Sequence, residues 1–280
     1  MRIEFTKMHG LGNDYLFIEQ GADSIGDLAD LSRRMSHRNL GVGSDGIILV
    51  LPSDSADFRM RILNADGSEA ETCGNGVRCF AKYVYEHHMT DKTAFVIETL
   101  AGPNHVELTT EGGSVAAVRS NMGEPRFERA EIPMEGPPGR VIEEPLEVAG
   151  QTFEVTCANI GNPHAVIFVD DATAVPLAEI GPAIERHPRF PERTNVEFVT
   201  VQDRGNLVMR VWERGSGITV ACGSGACVAA LAAMITGRAD KRVNVHLVHG
   251  SLAIEWGEDG AVYQEGPAAE VFCGVWDTDR

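Results

Sequence analysis

Apolar positions along this chain follow a short succession of rhythms, and the succession occurs twice. Phe58 to Leu63 alternates apolar and polar residues like a half-buried strand, and Leu207 to Trp212 does the same. Ahead of these, Ile47 to Leu51 and Val196 to Val201 are continuous apolar runs that read as buried strands. Further upstream, Asp27 to Arg38 places Leu28, Leu31 and Met35 at helical spacing, and Leu177, Ile180 and Ile184 repeat it behind Pro176, a residue suited to a helix start. Tyr15 to Glu19 is a further strand candidate. Two helices are predicted at Val77 to Glu86 and Ala226 to Thr236, followed by strands at Phe95 to Thr99 and Val243 to Val248.

Sliding the sequence on itself by 149 positions gives a gapless register from about residue 12 to residue 81. Gly12-Asn13 falls on Gly161-Asn162, Leu28-Ala29-Asp30-Leu31 on Leu177-Ala178-Glu179-Ile180, Met60-Arg61 on Met209-Arg210, and Cys73-Gly74 on Cys222-Gly223. Beyond that the offset is 148, placing Gly102 on Gly250. The chain is therefore a duplication of one unit, roughly residues 12–108 and 161–256. Strands beside strands with two helices per unit predict α+β halves. Between them, Glu124 to Gly150 is rich in proline and glycine and reads as a turn-rich connection.

Composition narrows the function classes. A net charge of -17 argues against nucleic acid and anionic membrane surfaces as partners. The apolar runs are far shorter than the ~20 residues of a spanning helix, and the start of the chain lacks the apolar core of a secretory signal. Six cysteines in a long chain of this kind read as reduced thiols, so the expected location is cytoplasmic. The spacings Cys73–Cys79 and Cys222–Cys227 fit neither redox nor zinc motifs. Gly41-Val42-Gly43-Ser44-Asp45-Gly46 matches a dinucleotide pattern, but it follows a helix and precedes a strand, the reverse of the required order.

The chemistry concentrates at the repeated Cys-Gly turns. A thiol at a helix start meets unpaired N–H groups and the positive end of the helix dipole, which lowers its pKa toward neutrality. The same N–H groups suit a carboxylate. Two such turns predict two thiols at one stereocentre, one removing a proton and the other returning it. Cys79, Cys157, Cys227 and Cys273 lack this setting and are expected in the core. Asn13, Asn64, Asn162 and Asn195, read as loop residues, offer amides that both donate and accept, as an amino-acid ligand requires. Glu213-Arg214 occurs only in the second half and suits a carboxylate and an ammonium group; His164 is placed to orient a thiol or the carboxylate.

Met8-His9-Gly10-Leu11-Gly12-Asn13-Asp14, Asn64-Ala65-Asp66-Gly67-Ser68, Cys73-Gly74-Asn75-Gly76-Val77-Arg78-Cys79, Gly161-Asn162-Pro163-His164, Glu213-Arg214-Gly215 and Ala221-Cys222-Gly223-Ser224-Gly225-Ala226-Cys227 together resemble the diaminopimelate epimerase family, over nearly the whole chain. The resemblance implies a cofactor-independent, metal-free isomerase that interconverts LL-diaminopimelate and its meso isomer for lysine and peptidoglycan synthesis. It implies Cys73 and Cys222 as base and acid, tuned by His164 and Glu213. The N–H groups of Gly74, Asn75, Gly223 and Ser224 would hold the reacting carboxylate. Asn13, Asn64, Asn162, Asn195, Glu213 and Arg214 would grip the distal end. The implied fold is two pseudo-symmetric α+β domains, each a mixed or antiparallel sheet wrapped around a central helix, with the site in the interdomain cleft. Their bounds would be 1–120 with 267–280, carrying Cys73, and 121–266, carrying Cys222. A small-molecule amino acid is the expected partner, and a homodimer the expected assembly.

Two positions depart from the family pattern: Gly46 stands where many members have glutamine, and Gly217-Ile218-Thr219 where many read Gly-Glu-Thr. A proline or hydroxyproline racemase shares the expected architecture but typically shows Cys-Gly-His where this chain has Cys73-Gly74-Asn75. A non-catalytic amino-acid binding protein is the alternative of a different class. Which cysteine is the thiolate at rest stays open at this level.

Overall fold

The computed structural model describes residues 1–19 and 25–278. The chain divides into two units, Met1–Asn121 with Gly266–Arg280, and Met122–Glu265. Unit 1 contains β1 (Arg2–Gly10), β2 (Asn13–Ile18), α1 (Leu28–Ser36), β3 (Gly46–Leu51), β4 (Phe58–Asn64), β5 (Glu69–Ala70), α2 (Gly74–Glu86), β6 (Ala94–Thr99), β7 (Gly102–Glu111) and β8 (Ser114–Asn121). Unit 2 contains β9 (Glu144–Val148), β10 (Gln151–Asn159), β11 (Pro163–Phe168), α3 (Leu177–Glu185), β12 (Asn195–Asp203), β13 (Asn206–Glu213), β14 (Gly217–Thr219), α4 (Gly223–Ile235), β15 (Arg242–Leu247), β16 (Gly250–Trp256) and β17 (Val262–Gly266). The last strand, β18 (Ala269–Asp277), pairs with β1 and so belongs to unit 1.

The strands of unit 1 run in the order β18-β1-β2-β3-β4-β6-β7-β8. Those of unit 2 run β9-β10-β11-β12-β13-β15-β16-β17. Each sheet is mixed: β2/β3 and β4/β6, like β11/β12 and β13/β15, are parallel and linked through a helix. The duplication holds at the level of register. Tyr15 faces Gly46 and His164 faces Asn195, the same pairing moved by 149 residues. The helices α1 and α2 recur as α3 and α4 at that same offset.

In unit 1, α2 packs on β1, β2, β7 and β8 and α1 on β3 and β4; α4 takes the place of α2 in unit 2, against β10 to β13, β15 and β16. Helix α4 (GSGACVAALAAMI) is apolar nearly all round, and ten of its residues are buried, as a helix enclosed by its sheet requires. Helix α2 buries Val77, Cys79, Phe80, Ala81 and Val84 in a core that includes Phe17, Ile48, Ile62 and Phe95. The opposite face of that sheet is closed by α1 through Leu31 and Met35, with Ile47, Leu49 and Leu63. In the turn-rich segment of unit 2, Arg129 and Arg189 both bind Glu144 and carbonyls of the 135–145 stretch, which pins the irregular backbone.

Three readings of the sequence change. The second helix of each unit begins at Gly74 or Gly223, three residues before the apolar pattern starts, because the preceding cysteine caps it. Asn13 and Asn195 open strands and Asn64 closes one, so only Asn162 of the four sits in a loop. Cys273 is exposed on β18 rather than buried in the core; most of that strand is exposed, so its apolar residues carry no one-sided pattern.

Candidate active site

In unit 1 the cysteine turn is built from neutral groups. Cys73 is the N-cap of α2, with extended backbone (φ -149, ψ 115), and its Sγ accepts from Gly76 N–H at 3.5 Å, as a serine or aspartate oxygen would. The Tyr15 hydroxyl donates to Cys73 Sγ at 3.5 Å, and the thiol donates to Asn13 Oδ1 at 3.4 Å. Asn75 Nδ2 donates to the same oxygen at 3.1 Å. The Asn13 amide is held from behind, since its Nδ2 donates to Asp45 Oδ2 at 2.7 Å. Asp45 and Asp14 share Arg38, and Lys7 binds Asp14. Burial alone would raise the Asp14 carboxyl, but Arg38 and Lys7 hold it below the usual range. The expected neighbours Asn13, Cys73 and Asn75 are thus brought together. Asn64 instead closes the 64–68 turn through Ser68 Oγ at 3.0 Å.

Cys222 caps α4 in the same way, with Sγ accepting from Gly225 N–H at 3.4 Å and lying 3.5 Å from Ser224 Oγ. Its surroundings differ. It is 5% exposed, and Glu213 and Glu197 are the acidic groups that act on it. Burial raises the Cys222 thiol well above its ordinary value, and the charges of Glu213 and Glu197 push it further; Ser224 and the Gly225 N–H pull weakly the other way. The expected lowering by the helix start is therefore overridden here, because desolvation and two carboxylates outweigh two weak donors. Glu213 is itself raised by burial, against the pull of the Thr219 hydroxyl and His164. Glu213 and Arg214 do not pair with each other: Arg214 donates to the Glu192 carbonyl at 3.0 Å.

His164 and Asn195 are placed one strand apart. His164 is 0% exposed, its Nδ1 2.7 Å from Glu197 Oε1 and its Nε2 2.7 Å from Asn162 Oδ1. Asn195, 2% exposed, accepts from Arg214 N–H at 2.8 Å and donates to the Pro163 carbonyl at 3.0 Å. It therefore fixes the backbone of both the Glu213-Arg214 turn and the Asn162-Pro163-His164 turn. Gly46 holds the equivalent place in unit 1, where a Cβ would lie 2.2 Å from the Leu63 carbonyl oxygen, so a larger residue there needs a backbone shift.

Four residues were missed in the sequence. Tyr15 is the 149-residue partner of His164, which is the signal that marks it. Glu197 is an acid inside the apolar run Val196-Glu197-Phe198-Val199, opposite Ile48 in the repeat. Asp45 was passed over within a discounted glycine pattern. Glu185, 2% exposed, accepts from Trp212 Nε1 and Gly215 N–H and so anchors the Glu213-Arg214 turn. Among the described residues no group of three or more His, Cys, Asp or Glu is placed to hold a metal ion, and no helix is long and apolar enough to cross a membrane.

By fold the chain is an α+β protein whose architecture recurs in solved structures at low sequence identity. It is similar to a phenazine biosynthesis protein of the PhzF family from Bacillus anthracis, with a TM-score of 0.71 at 16% identity over 99% of each chain. It is also similar to a hydroxyproline epimerase from Agrobacterium vitis with bound trans-4-OH-L-proline, with a TM-score of 0.70 at 17% identity over 100% of this chain and 93% of that one. Sequence narrows the class. The family model for diaminopimelate epimerase matches residues 5–128 and 156–271. The diaminopimelate epimerase of Moorella thermoacetica is 53% identical over 279 residues, covering 99% of this chain and 100% of the relative. That of Pelotomaculum thermopropionicum is 54% identical over 276 residues, covering 98% and 99%. The chain belongs to the diaminopimelate epimerase family, and it is an isomerase of the racemase and epimerase group acting on amino acids.

Proposed function

We propose that this protein interconverts LL-diaminopimelate and meso-diaminopimelate by a two-base proton transfer in which Cys73 and Cys222 act on one Cα. The observation that carries this reading is the pair of helix caps: α2 and α4, 149 residues apart, each begin with a cysteine sulfur in the N-cap position. One thiolate takes the α-proton and leaves a carbanion, which the adjoining carboxylate delocalises. The other thiol delivers a proton to the opposite face, so atoms and charge balance without an oxidant, reductant or cofactor. Burial and the charges of Glu213 and Glu197 raise the Cys222 thiol, which favours its protonated form and suits it to the acid role.

Gly74, Asn75, Gly223 and Ser224 lie in the first turns of α2 and α4, where N–H groups have no carbonyl partner within the helix. They would hold the reacting carboxylate, as helix N-termini hold anions. Asn13, Asn64, Asn162, Glu213 and Arg214 would bind the distal amino-acid end, with Asn195 fixing the Arg214 turn. Residues 1–120 with 267–280 and residues 121–266 would form the two halves of the enzyme. The same reading places it in the cytoplasm, on the route to lysine and peptidoglycan precursors, as a homodimer that light scattering would detect.

Incubating the reduced protein with LL-diaminopimelate in deuterated water, without added cofactor, tests the reading. Formation of the meso isomer with one deuterium at Cα is the expected result. Absence of both epimerisation and exchange would sink it, and activity on proline or hydroxyproline in its place would transfer the mechanism to another substrate.

A further inference from the structure

Unit 2 buries a carboxylate that unit 1 does without. His164 and Glu197 are both 0% exposed, and their Nδ1 and Oε1 atoms are 2.7 Å apart. Glu197 Oε2 has no hydrogen-bond partner. A buried carboxylate oxygen with an unmade bond is costly, and the repeat shows that the backbone does not require it. The equivalent residue in unit 1 is Ile48, also 0% exposed. The Ile48 Cδ1 lies 3.0 Å from where a Cβ on Gly76 would stand, and Glu197 Oε1 lies 2.7 Å from where one on Gly225 would stand. Both residues fill the same space under the third residue of a cysteine-capped helix. The charge therefore serves something other than packing.

It leads to Asn162. The Asn162 Oδ1 only accepts, so His164 Nε2, 2.7 Å away, is the donor of that bond. With its oxygen held by the ring, the amide keeps its Nδ2 as a donor for another acceptor. In unit 1 the equivalent amide is turned the other way: Asp45 takes Asn13 Nδ2 at 2.7 Å, and Oδ1 faces Cys73 and Asn75. Two equivalent asparagines thus present opposite ends, one an oxygen and one a pair of N–H groups. A carboxylate needs N–H donors of the kind that Asn162 keeps.

We infer that Glu197 is a positioning residue that acts through His164, fixing the ring so that Asn162 presents its N–H groups to a carboxylate of the substrate. This deepens the amino-acid epimerase reading above and rests on it.

The test is the split between KM and kcat for LL-diaminopimelate in Glu197→Ile, which copies Ile48, and in Glu197→Gln, which keeps an acceptor for Nδ1. Glu197→Ile should raise KM about tenfold, the signature of a lost binding contact, whatever kcat does when the charge beside Cys222 is removed. Glu197→Gln should restore KM to within about threefold of the parent. In an Asn162→Ala background, Glu197→Ile should change KM by less than about twofold, because the two act on one contact. An unchanged KM in Glu197→Ile, a loss confined to kcat, or an effect additive with Asn162→Ala would each overturn the inference. A readout without substrate guards against misfolding: the ring nitrogens of 15N-histidine-labelled parent protein. The inference requires His164 Nε2 to carry a proton at neutral pH, and a bare Nε2 would refute it. A parent inactive on diaminopimelate would defeat the substrate reading, while the nitrogen measurement would still decide how His164 is aimed.

Discussion

The two cysteine turns share a cap geometry and differ in their charged surroundings. Cys73 is half-buried among a tyrosine hydroxyl, an asparagine amide and a backbone N–H. Cys222 is buried, with Glu213 and Glu197 as its charged neighbours. Each difference occupies an equivalent position: Tyr15 against His164, Gly46 against Asn195, Ile48 against Glu197, Asn64 against Glu213. Duplication preserved the geometry that places a sulfur on a helix start, while single substitutions on the flanking strands made the two sulfurs chemically distinct. A reaction in which one thiol accepts a proton and the other gives one benefits from such a division. So does a substrate whose second head needs contacts that the reacting centre does not.

Removing either sulfur should have the largest effect. Cys73→Ala and Cys222→Ala are each expected to lower kcat by about a thousandfold, within the range for loss of a positioned acid or base; steady-state epimerisation measures it. Full activity in either variant would end the two-thiol account.

The helix starts should differ in tolerance. A Cβ at Gly225 would meet Glu197 Oε1 at 2.7 Å and Cys222 Sγ at 3.2 Å, whereas one at Gly76 would meet the Ile48 methyl at 3.0 Å and Cys73 Sγ at 3.8 Å. Gly225→Ala is expected to destabilise by about 2 kcal/mol and Gly76→Ala by about half of that or less, since a flexible methyl gives way more easily than a buried carboxylate. Denaturant unfolding of both variants checks the order, and equal losses would show that the charged neighbour does not matter to packing.

Tyr15→Phe removes a hydroxyl from Cys73 and leaves the ring buried in its core. It should slow turnover by up to about tenfold, the value of one hydrogen bond, with little change in melting temperature. An unaltered rate would make Tyr15 a packing residue only.

The smallest effects lie in pH. Because the folded Cys222 pKa is raised, its contribution to stability is fully present below the ordinary thiol range and declines as pH rises from there toward the folded value. The melting temperature of the parent should therefore fall more above about pH 9 than that of Cys222→Ala. Glu213 is raised as well, so its contribution is present below the ordinary carboxyl range and lost as pH rises through its folded value. Glu213→Gln should accordingly stabilise the protein at pH 7, by about 1 kcal/mol at most, and should shift alkylation of Cys222 by iodoacetamide to lower pH. A destabilised Glu213→Gln would contradict the assigned role of burial.

Much of this was legible in the residues. The offset of 149 marked both units, both cysteine-capped helices and the pairing of Asn13 with Asn162, because a duplicated backbone must repeat its apolar rhythm to bury the same faces. Strands β1 and β18 were not read from the residues: they are held by each other across the chain, Arg2 opposite Asp277, and β18 is exposed along most of its length and carries no one-sided pattern. Glu197 and Asp45 were equally hidden. Nothing local says which partner such an acid meets, since that depends on what the fold brings to it.

Sequence alone thus sufficed for the duplication, the cysteine pair and the family, all of which rest on local patterns and on order along the chain. The fold added what depends on neighbours distant in sequence: that burial and two carboxylates raise Cys222, that Asn195 braces two turns, and that equivalent amides are turned in opposite directions. Desolvation and hydrogen bonding act through space, and only the folded chain sets those distances.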